Sequence, residues 1–175
     1  VVQRLMIRIS IIIPAYNVAP WISATLLSIS RSRNVDLATI EVIVVNDGSK
    51  DDTINVVELF ASNHQELKVK LISQDNQGVS QARNNGLHNA QGEYVWFIDG
   101  DDMITSNAIH DILGIIDTHP DVDVLKTGTP VKFSDESELA DTADHTAPVA
   151  KLCKAYELFN EQYGSAYICH VRHIW

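Results

Sequence analysis

Residues 94–102, Tyr94-Val95-Trp96-Phe97-Ile98-Asp99-Gly100-Asp101-Asp102, drive an unbroken apolar and aromatic run into three carboxylates within four positions. The run from Tyr94 to Ile98 suits a pleated strand buried on both faces. Such a strand cannot also bury Asp99, Asp101 and Asp102, because unpaired charge in an apolar interior is very costly. The acids therefore fall just past the strand's carboxyl end, where open α/β sheets place their ligand crevices. Gly100 permits a tight turn there. Clustered carboxylates repel one another, and a hard divalent cation, Mg²⁺ or Mn²⁺, relieves that repulsion through oxygen ligands while carrying substrate phosphates on its open positions.

A chain of 175 residues, 45% hydrophobic, can bury one core. Its formal net charge of −10 speaks against nucleic acid as a partner, which needs a basic surface. It leaves room for a nucleotide whose phosphates a metal masks. Cys153 and Cys169 form no metal-ligand spacing and no disulfide framework, which points to a reducing compartment. Arg4 and Arg8 interrupt the first apolar residues, no secretory signal follows, and no run of eighteen apolar residues exists to span a membrane. A cytoplasmic setting is expected. His173-Ile174-Trp175 reads as an ordered element cut short, so a longer protein is expected.

Taken in order, Ile7–Ile13 reads as a first buried strand, ended by Pro14, and Pro20 as the opening of a helix through about Ser32. Glu41–Val45 is a second strand. Ser49 and Asp52 then resemble a capping box before a helix to about Asn63. Val69–Ser73 is a shorter strand, and the polar helix from about Val79 to Ala90 has a face free to look at a site. Asn107–Thr118 is amphipathic, and Val122–Thr127 a further strand. Ser134–Pro148 is an acidic, turn-rich mobile loop, and Lys151–Tyr163 returns to helical period. Strand–helix alternation to residue 127 predicts an α/β fold, a doubly wound and mostly parallel sheet with helices on both faces. Residues 1–127 form the core and 128–175 a second region.

A parallel sheet brings three polar strand ends to one edge: Pro14-Ala15-Tyr16-Asn17, Asn46-Asp47-Gly48-Ser49 and Asp99-Gly100-Asp101-Asp102. Tyr16 offers a ring face, backbone at Ala15 a base edge, Asp47 an acceptor, and Arg83 a planar donor fork for anionic oxygen. Each has a plainer reading. Asp47-Gly48 can be a turn, Arg83 a surface pair, and Asp51 and Asp52 charges at a helix start. Lys50 reads as solvated. Trp21 and Trp96 are most simply packing residues, and His64, His88, His110 and His119 share no ligand spacing.

Four pieces in order carry a resemblance: Ile11–Asn17, Val44–Thr53, Asn76–Gly86 and Gly92–Asp102. Together they resemble the family 2 glycosyltransferases of the GT-A (Rossmann-like) fold, over about residues 8 to 127. The resemblance implies an inverting enzyme that moves a sugar from a nucleotide diphosphate sugar, commonly a UDP-sugar, to a glycan or lipid-linked acceptor. It places this work in bacterial polysaccharide building, at the cytoplasmic face of the membrane. It implies nucleotide contacts from Pro14, Ala15, Tyr16, Asn17, Asp47, Gly48, Arg83 and Asp99. Asp99-Gly100-Asp101 is similar to the family's DXD motif, so Asp101 is the first candidate for Mn²⁺ or Mg²⁺. Asp99 turns to ribose or metal, and Asp102 is an outside candidate. No residue after 127 matches the family's catalytic base, which is expected beyond Trp175. A chain ending there would bind donor without transferring it.

Two rival enzymes or switches fit less well. A nucleotidyltransferase would show a glycine-rich phosphate loop after the first strand. A signalling receiver domain would place acids there. Pro14–Asn17 offers neither. A non-catalytic nucleotide-binding module shares the pocket and stays open as an alternative.

Overall fold

The computed structural model describes residues 6–121, 124–126, 151–152 and 167–170. Seven strands form one sheet: β1 (Ile9–Ala15), β2 (Ile40–Asp47), β3 (Lys68–Gln74), β4 (Tyr94–Phe97), β5 (Val124–Lys126), β6 (Lys151–Leu152) and β7 (Tyr167–His170). Their order is β3-β2-β1-β4-β7-β5-β6. The first four pair in parallel, and β7, β5 and β6 continue the sheet in antiparallel pairing. The chain therefore runs outward from β1 through β2 to β3, then returns to place β4 on the other side of β1. That reversal between β1 and β4 is the switch point at which such sheets open a crevice.

The alternation of side chains along β1 explains the two layers. Ile9, Ile11 and Ile13 join Val42 and Val44 of β2 and Tyr94 and Trp96 of β4 in the main core. Onto that face pack α1 (Ile22–Ser30), α2 (Thr53–Asn63) and α4 (Ala108–Thr118), through Leu26, Val57, and Ile109 with Ile112. On the opposite face, α3 (Val79–Asn89) lays Ala82 over Ile43 and Val45. The sheet thus has helices on both faces, as its strand–helix rhythm predicts. No helix among the described residues is long and apolar enough to cross a membrane.

Several boundaries depart from the sequence reading. β1 runs through Pro14 to Ala15 instead of stopping at Pro14. Pairing with β4 ends at Ile12, whose carbonyl receives the Ile98 N–H. Beyond that point the side of β1 facing β4 has no ladder to complete, so a proline without an N–H is tolerated. Pro20 does not open α1; Trp21 and Ile22 first turn onto the Val18 carbonyl, and the helix starts at Ile22. The capping box at Ser49 and Asp52 does not form: Asp52 makes no side-chain cap bond, and Asp51 accepts from the Thr53 N–H instead. Lys151 and Leu152, expected in a helix, pair as a strand with β5. The rest of that helix, the acidic loop at 134–148, Glu157 and Glu161 lie outside the described residues.

A buried polar junction fixes the amino end of the sheet. Glu41, 1% exposed, accepts from Ser10 Oγ and from the Gln91 N–H, each at 2.6 Å, and pairs with Lys68 at 3.2 Å. The Gly92 N–H donates to Ser10 Oγ at 2.8 Å. The chain leaving α3 is thereby tied to β1 and β2 just before β4 begins, and β4 takes its register from there.

The α3 helix approaches the sheet closely because it has a glycine at the crossing. A Cβ on Gly86 would lie 2.3 Å from Ile12 Cγ2, a stiff and fully buried side chain. Gly86→Ala is expected to destabilise the fold by about 1–3 kcal/mol through overpacking, seen as a lower urea midpoint at unchanged slope.

Candidate donor-binding site

The carboxyl ends of β1, β2 and β4 and the start of α3 meet on one rim, joined by side-chain to backbone bonds and by one ion pair. Pro14 and Ala15 are buried strand residues, whereas Tyr16 and Asn17 emerge, Tyr16 with half its surface exposed. Asn17 adopts a positive φ of 55°, which short polar side chains tolerate. Its amide Oδ1 accepts from the Lys50 N–H at 2.7 Å, and its own N–H donates to Ser49 Oγ at 3.0 Å. The loops after β1 and β2 are thus bonded in both directions.

Asp47 ends β2 and is 3% exposed. Its Oδ1 accepts from Gln74 Nε2 and from the Gln77 N–H, and its Oδ2 from the Gly78 N–H, all at 2.8 Å. Burial pushes the Asp47 carboxyl up, but these three donors outweigh it and hold it below its ordinary value. The carboxylate therefore fastens the turn that leads into α3. Three of its roughly four acceptor positions are taken. Gly48 follows with φ of 73°, and a Cβ there would lie 2.9 Å from the Asn76 backbone nitrogen. Glycine is what lets the loop after β3 sit against the end of β2.

The polar side chains of α3 do not all turn to the rim. Asn85 donates to Gln74 Oε1 at 2.8 Å, and Asn89 accepts from Lys70 at 2.7 Å, so much of that polarity is spent against the edge strand β3. Arg83 is the exception. Its Nη2 donates to Asp99 Oδ1 at 2.6 Å, joining α3 to the acidic turn after β4. Arg83 Nε is buried and has no hydrogen-bond partner among the described residues.

The acidic turn itself closes through Asp102 N–H to the Asp99 carbonyl at 3.0 Å. Thr25 of α1 donates to the Gly100 carbonyl at 2.9 Å and anchors the turn from below. Asp99 is half exposed even while paired; Asp101 is exposed and has no hydrogen-bond partner among the described residues. The two carboxylates offer hard oxygen donors that suit Mg²⁺ or Mn²⁺. No group of three His, Cys, Asp or Glu able to hold an ion occurs among the described residues. That donor set fits a cation held by one or two carboxylates whose other positions go to phosphate oxygen and water.

Among the aromatic residues, Trp96 is core at 4% exposed, but Trp21 is 53% exposed at the head of α1, which a packing role did not foresee. Thr53, Gln74 and Gln77 are further working parts of the rim that the sequence does not single out, and Asp51 does more there than a helix-start charge would. For Asp51 and Thr53 the signal was present in the tight succession Asn-Asp-Gly-Ser-Lys-Asp-Asp-Thr, whose second half looks like ordinary helix-start chemistry until the neighbouring loop is seen; Gln74 and Gln77 lie outside it, in Gln-Asp-Asn-Gln.

A sheet whose parallel strands reverse between β1 and β4, with a polar rim at that reversal and acids after β4, defines an α/β domain of the GT-A type. The model of glycosyl transferase family 2 matches residues 10–173, and the chain belongs to that family. It is 41% identical over 98 residues to the uncharacterized glycosyltransferase EpsJ of Bacillus subtilis, covering 56% of this chain and 27% of that protein. It is 35% identical over 114 residues to TarS of Staphylococcus aureus, a poly(ribitol-phosphate) beta-N-acetylglucosaminyltransferase, covering 65% of this chain and 20% of TarS. The solved TarS 1-349 in complex with UDP-GlcNAc superimposes with a TM-score of 0.62 at 34% identity, over 67% of this chain and 33% of that one. The mannosyltransferase PcManGT from Pyrobaculum calidifontis, in complex with GDP-Man and Mn²⁺, gives 0.63 at 28% identity, over 70% of this chain and 35% of that one. The chain thus spans between a fifth and about a quarter of those two curated relatives.

Replacing Asp47 by Asn puts an amide N–H₂ against at least one of the three donors that the carboxylate serves. A loss of about 1–3 kcal/mol is expected. The native carboxyl, with its value lowered in the fold, contributes stability that is complete above its ordinary value of 3.8. That contribution fades as pH falls through the lower, folded value. Acid titration of unfolding free energy should therefore be less steep in Asp47→Asn, with the share due to Asp51 remaining.

Proposed function

We propose that this chain binds a nucleoside diphosphate sugar along the β1–β2–α3–β4 rim and serves an inverting transfer of the sugar to an acceptor hydroxyl. The observation that carries this reading is the bonding of those strand-end loops into one rim, with Asp101 left exposed and unengaged at its acidic end. The binding of UDP-GlcNAc by TarS and of GDP-Man with Mn²⁺ by PcManGT supports it. Of the two nucleotides we assign UDP, on the higher identity to TarS.

In this reading Tyr16 and the Ala15 backbone flank the base, and the open acceptor position of Asp47 receives a base N–H. Pro14, Asn17 and Gly48 shape that end of the pocket. Asp99, oriented by Arg83, faces ribose or metal, and Asp101 with Asp99 would hold Mn²⁺ or Mg²⁺ beside the diphosphate. The cation, when bound, supplies positive charge where the leaving diphosphate gains negative charge. Arg83 adds a second cationic group, its partly exposed guanidinium standing beside Asp99 at the same end of the rim. Transfer breaks the bond between the anomeric carbon and the diphosphate oxygen and forms one to the acceptor oxygen, whose proton goes to a general base. We assign that base to none of the described residues. Donor binding is the part of the reaction that they support.

Calorimetry with UDP, GDP and CMP, each with and without Mn²⁺, tests the reading. UDP is expected to bind in the presence of Mn²⁺, with little or no heat from CMP. Asp101→Ala should remove the Mn²⁺-dependent part of the affinity while leaving the unfolding temperature within a few degrees of the native protein. Binding that is indifferent to Mn²⁺, or unchanged in Asp101→Ala, would overturn the metal assignment.

A further inference from the structure

Asp51 and Thr53 touch no residue assigned to the nucleotide or the metal by the proposal above, yet they hold the loop that carries Tyr16. Asp51 Oδ1 accepts from the Thr53 N–H at 3.1 Å and from Thr53 Oγ1 at 2.5 Å. Its Oδ2 accepts from the Ala19 N–H at 3.0 Å. Thr53 Oγ1, its O–H donated to Asp51, accepts in turn from the Val18 N–H at 3.0 Å. With Ser49 receiving the Asn17 N–H, three successive backbone donors of the loop after β1 are met by side chains from the head of α2.

The chemistry of this relay is specific. A backbone N–H at Val18 needs an acceptor, and a hydroxyl is a reliable acceptor only when its proton points elsewhere. Asp51 fixes that proton. Thr53 is fully buried, so no water can stand in for its hydroxyl. Burial pushes the Asp51 carboxyl up, but the Thr53 and Ala19 donors prevail and keep it below its ordinary value, in the charged form the relay requires.

The relay reaches past Tyr16. Val18 Cγ2 stands 3.1 Å from where a Cβ on Gly100 would be, so the residue held by Thr53 also lies against the acidic turn. The Val18 carbonyl receives the first N–H groups of α1, and α1 carries the Thr25 that anchors Gly100. A shift of Val18 would therefore be felt both at Tyr16 and at Asp99–Asp101.

We propose that Asp51 and Thr53 are positioning residues of the donor site, which act through the backbone at Asn17–Ala19 to set Tyr16 and the acidic turn at the spacing of one nucleotide. This rests on the donor-site reading above and deepens it. The role is one of placement, so loss of the relay should appear as weaker nucleotide binding in a protein that is still folded.

The test compares UDP affinity in the presence of Mn²⁺ for the native protein and for Thr53→Val, Thr53→Ser and Asp51→Asn, with unfolding temperature measured alongside. Thr53→Val keeps the shape and removes both hydroxyl bonds; it is expected to weaken UDP by about tenfold at a temperature where the protein is fully folded. Thr53→Ser restores the hydroxyl and should return to within about twofold. Asp51→Asn should fall between them, because an amide can keep one acceptor but cannot serve both sides. Amide hydrogen exchange on the native protein gives a second readout that needs no variant: Asn17, Val18 and Ala19 should be protected together and slow further when UDP and Mn²⁺ bind. Equal UDP affinity in native protein and Thr53→Val, or rapid exchange at Val18 and Ala19 unaffected by nucleotide, would overturn the proposal and leave the donor site standing. Failure of the native protein to bind UDP would overturn the donor site and this inference with it.

Discussion

Parallel strands buried on both faces have nowhere to keep charge except at their ends, and this constraint governs the molecule. β1 and β2 are buried from end to end, and β4 nearly so, and their carboxylates sit at the ends: Glu41 in the junction at the amino end, the others past Asn46 or past Ile98. The chain reverses between β1 and β4, so those ends adjoin. A set of loops that would otherwise be separate becomes one surface because polar side chains bond to the backbone of a neighbouring loop or, at the acidic end, to its carboxylate. Asn17 with Ser49 joins the first pair, Asp47 with Gln77 and Gly78 the second, and Arg83 with Asp99 the third.

This arrangement has an energetic logic. Bonds from charged carboxylates to buried or half-buried N–H groups are stronger than neutral ones, and leaving such donors unmet would cost more than the bonds contribute. Ordering the rim before a ligand arrives means less of the binding free energy is lost to immobilising loops. The groups left unengaged are then informative. Of the groups without a partner among the described residues, Asp101 and the Nε of Arg83 belong to the acidic end of the rim; Ser32 Oγ and Trp96 Nε1 are likewise unpartnered.

Much of the fold was legible because its pattern is redundant. The unbroken runs at Ile11–Ile13, Val42–Val45 and Tyr94–Ile98 can only be buried strands, and the intervening helical stripes at Leu26 and Val57 leave a doubly wound sheet as the natural packing. The candidate site was legible for the same reason, since a parallel sheet puts Tyr16, Asp47 and Asp99 on one edge. What stayed hidden depends on two segments meeting. Pro14 looks like a strand breaker until one sees that β4 has stopped beside it. Ser49 and Asp52 look like a capping box until Ser49 turns to Asn17. The polarity of α3 looks functional until Asn85 and Asn89 are found against β3. Lys151 and Leu152 carry a helical period, yet β5 offers them a strand partner. In each case a local rule was overridden by a neighbour more than ten residues away.

One sheet edge carries Tyr16, Asp47 and the Asp99–Asp101 turn, and in the proposed function a single sugar-nucleotide lies along it. A crystal structure of the protein grown with UDP and Mn²⁺ tests it most directly. The uracil is expected between Tyr16 and Asp47, the diphosphate over the acidic turn, and the cation on Asp101. Nucleotide lying on another face, or a cation bound away from Asp99 and Asp101, would contradict it.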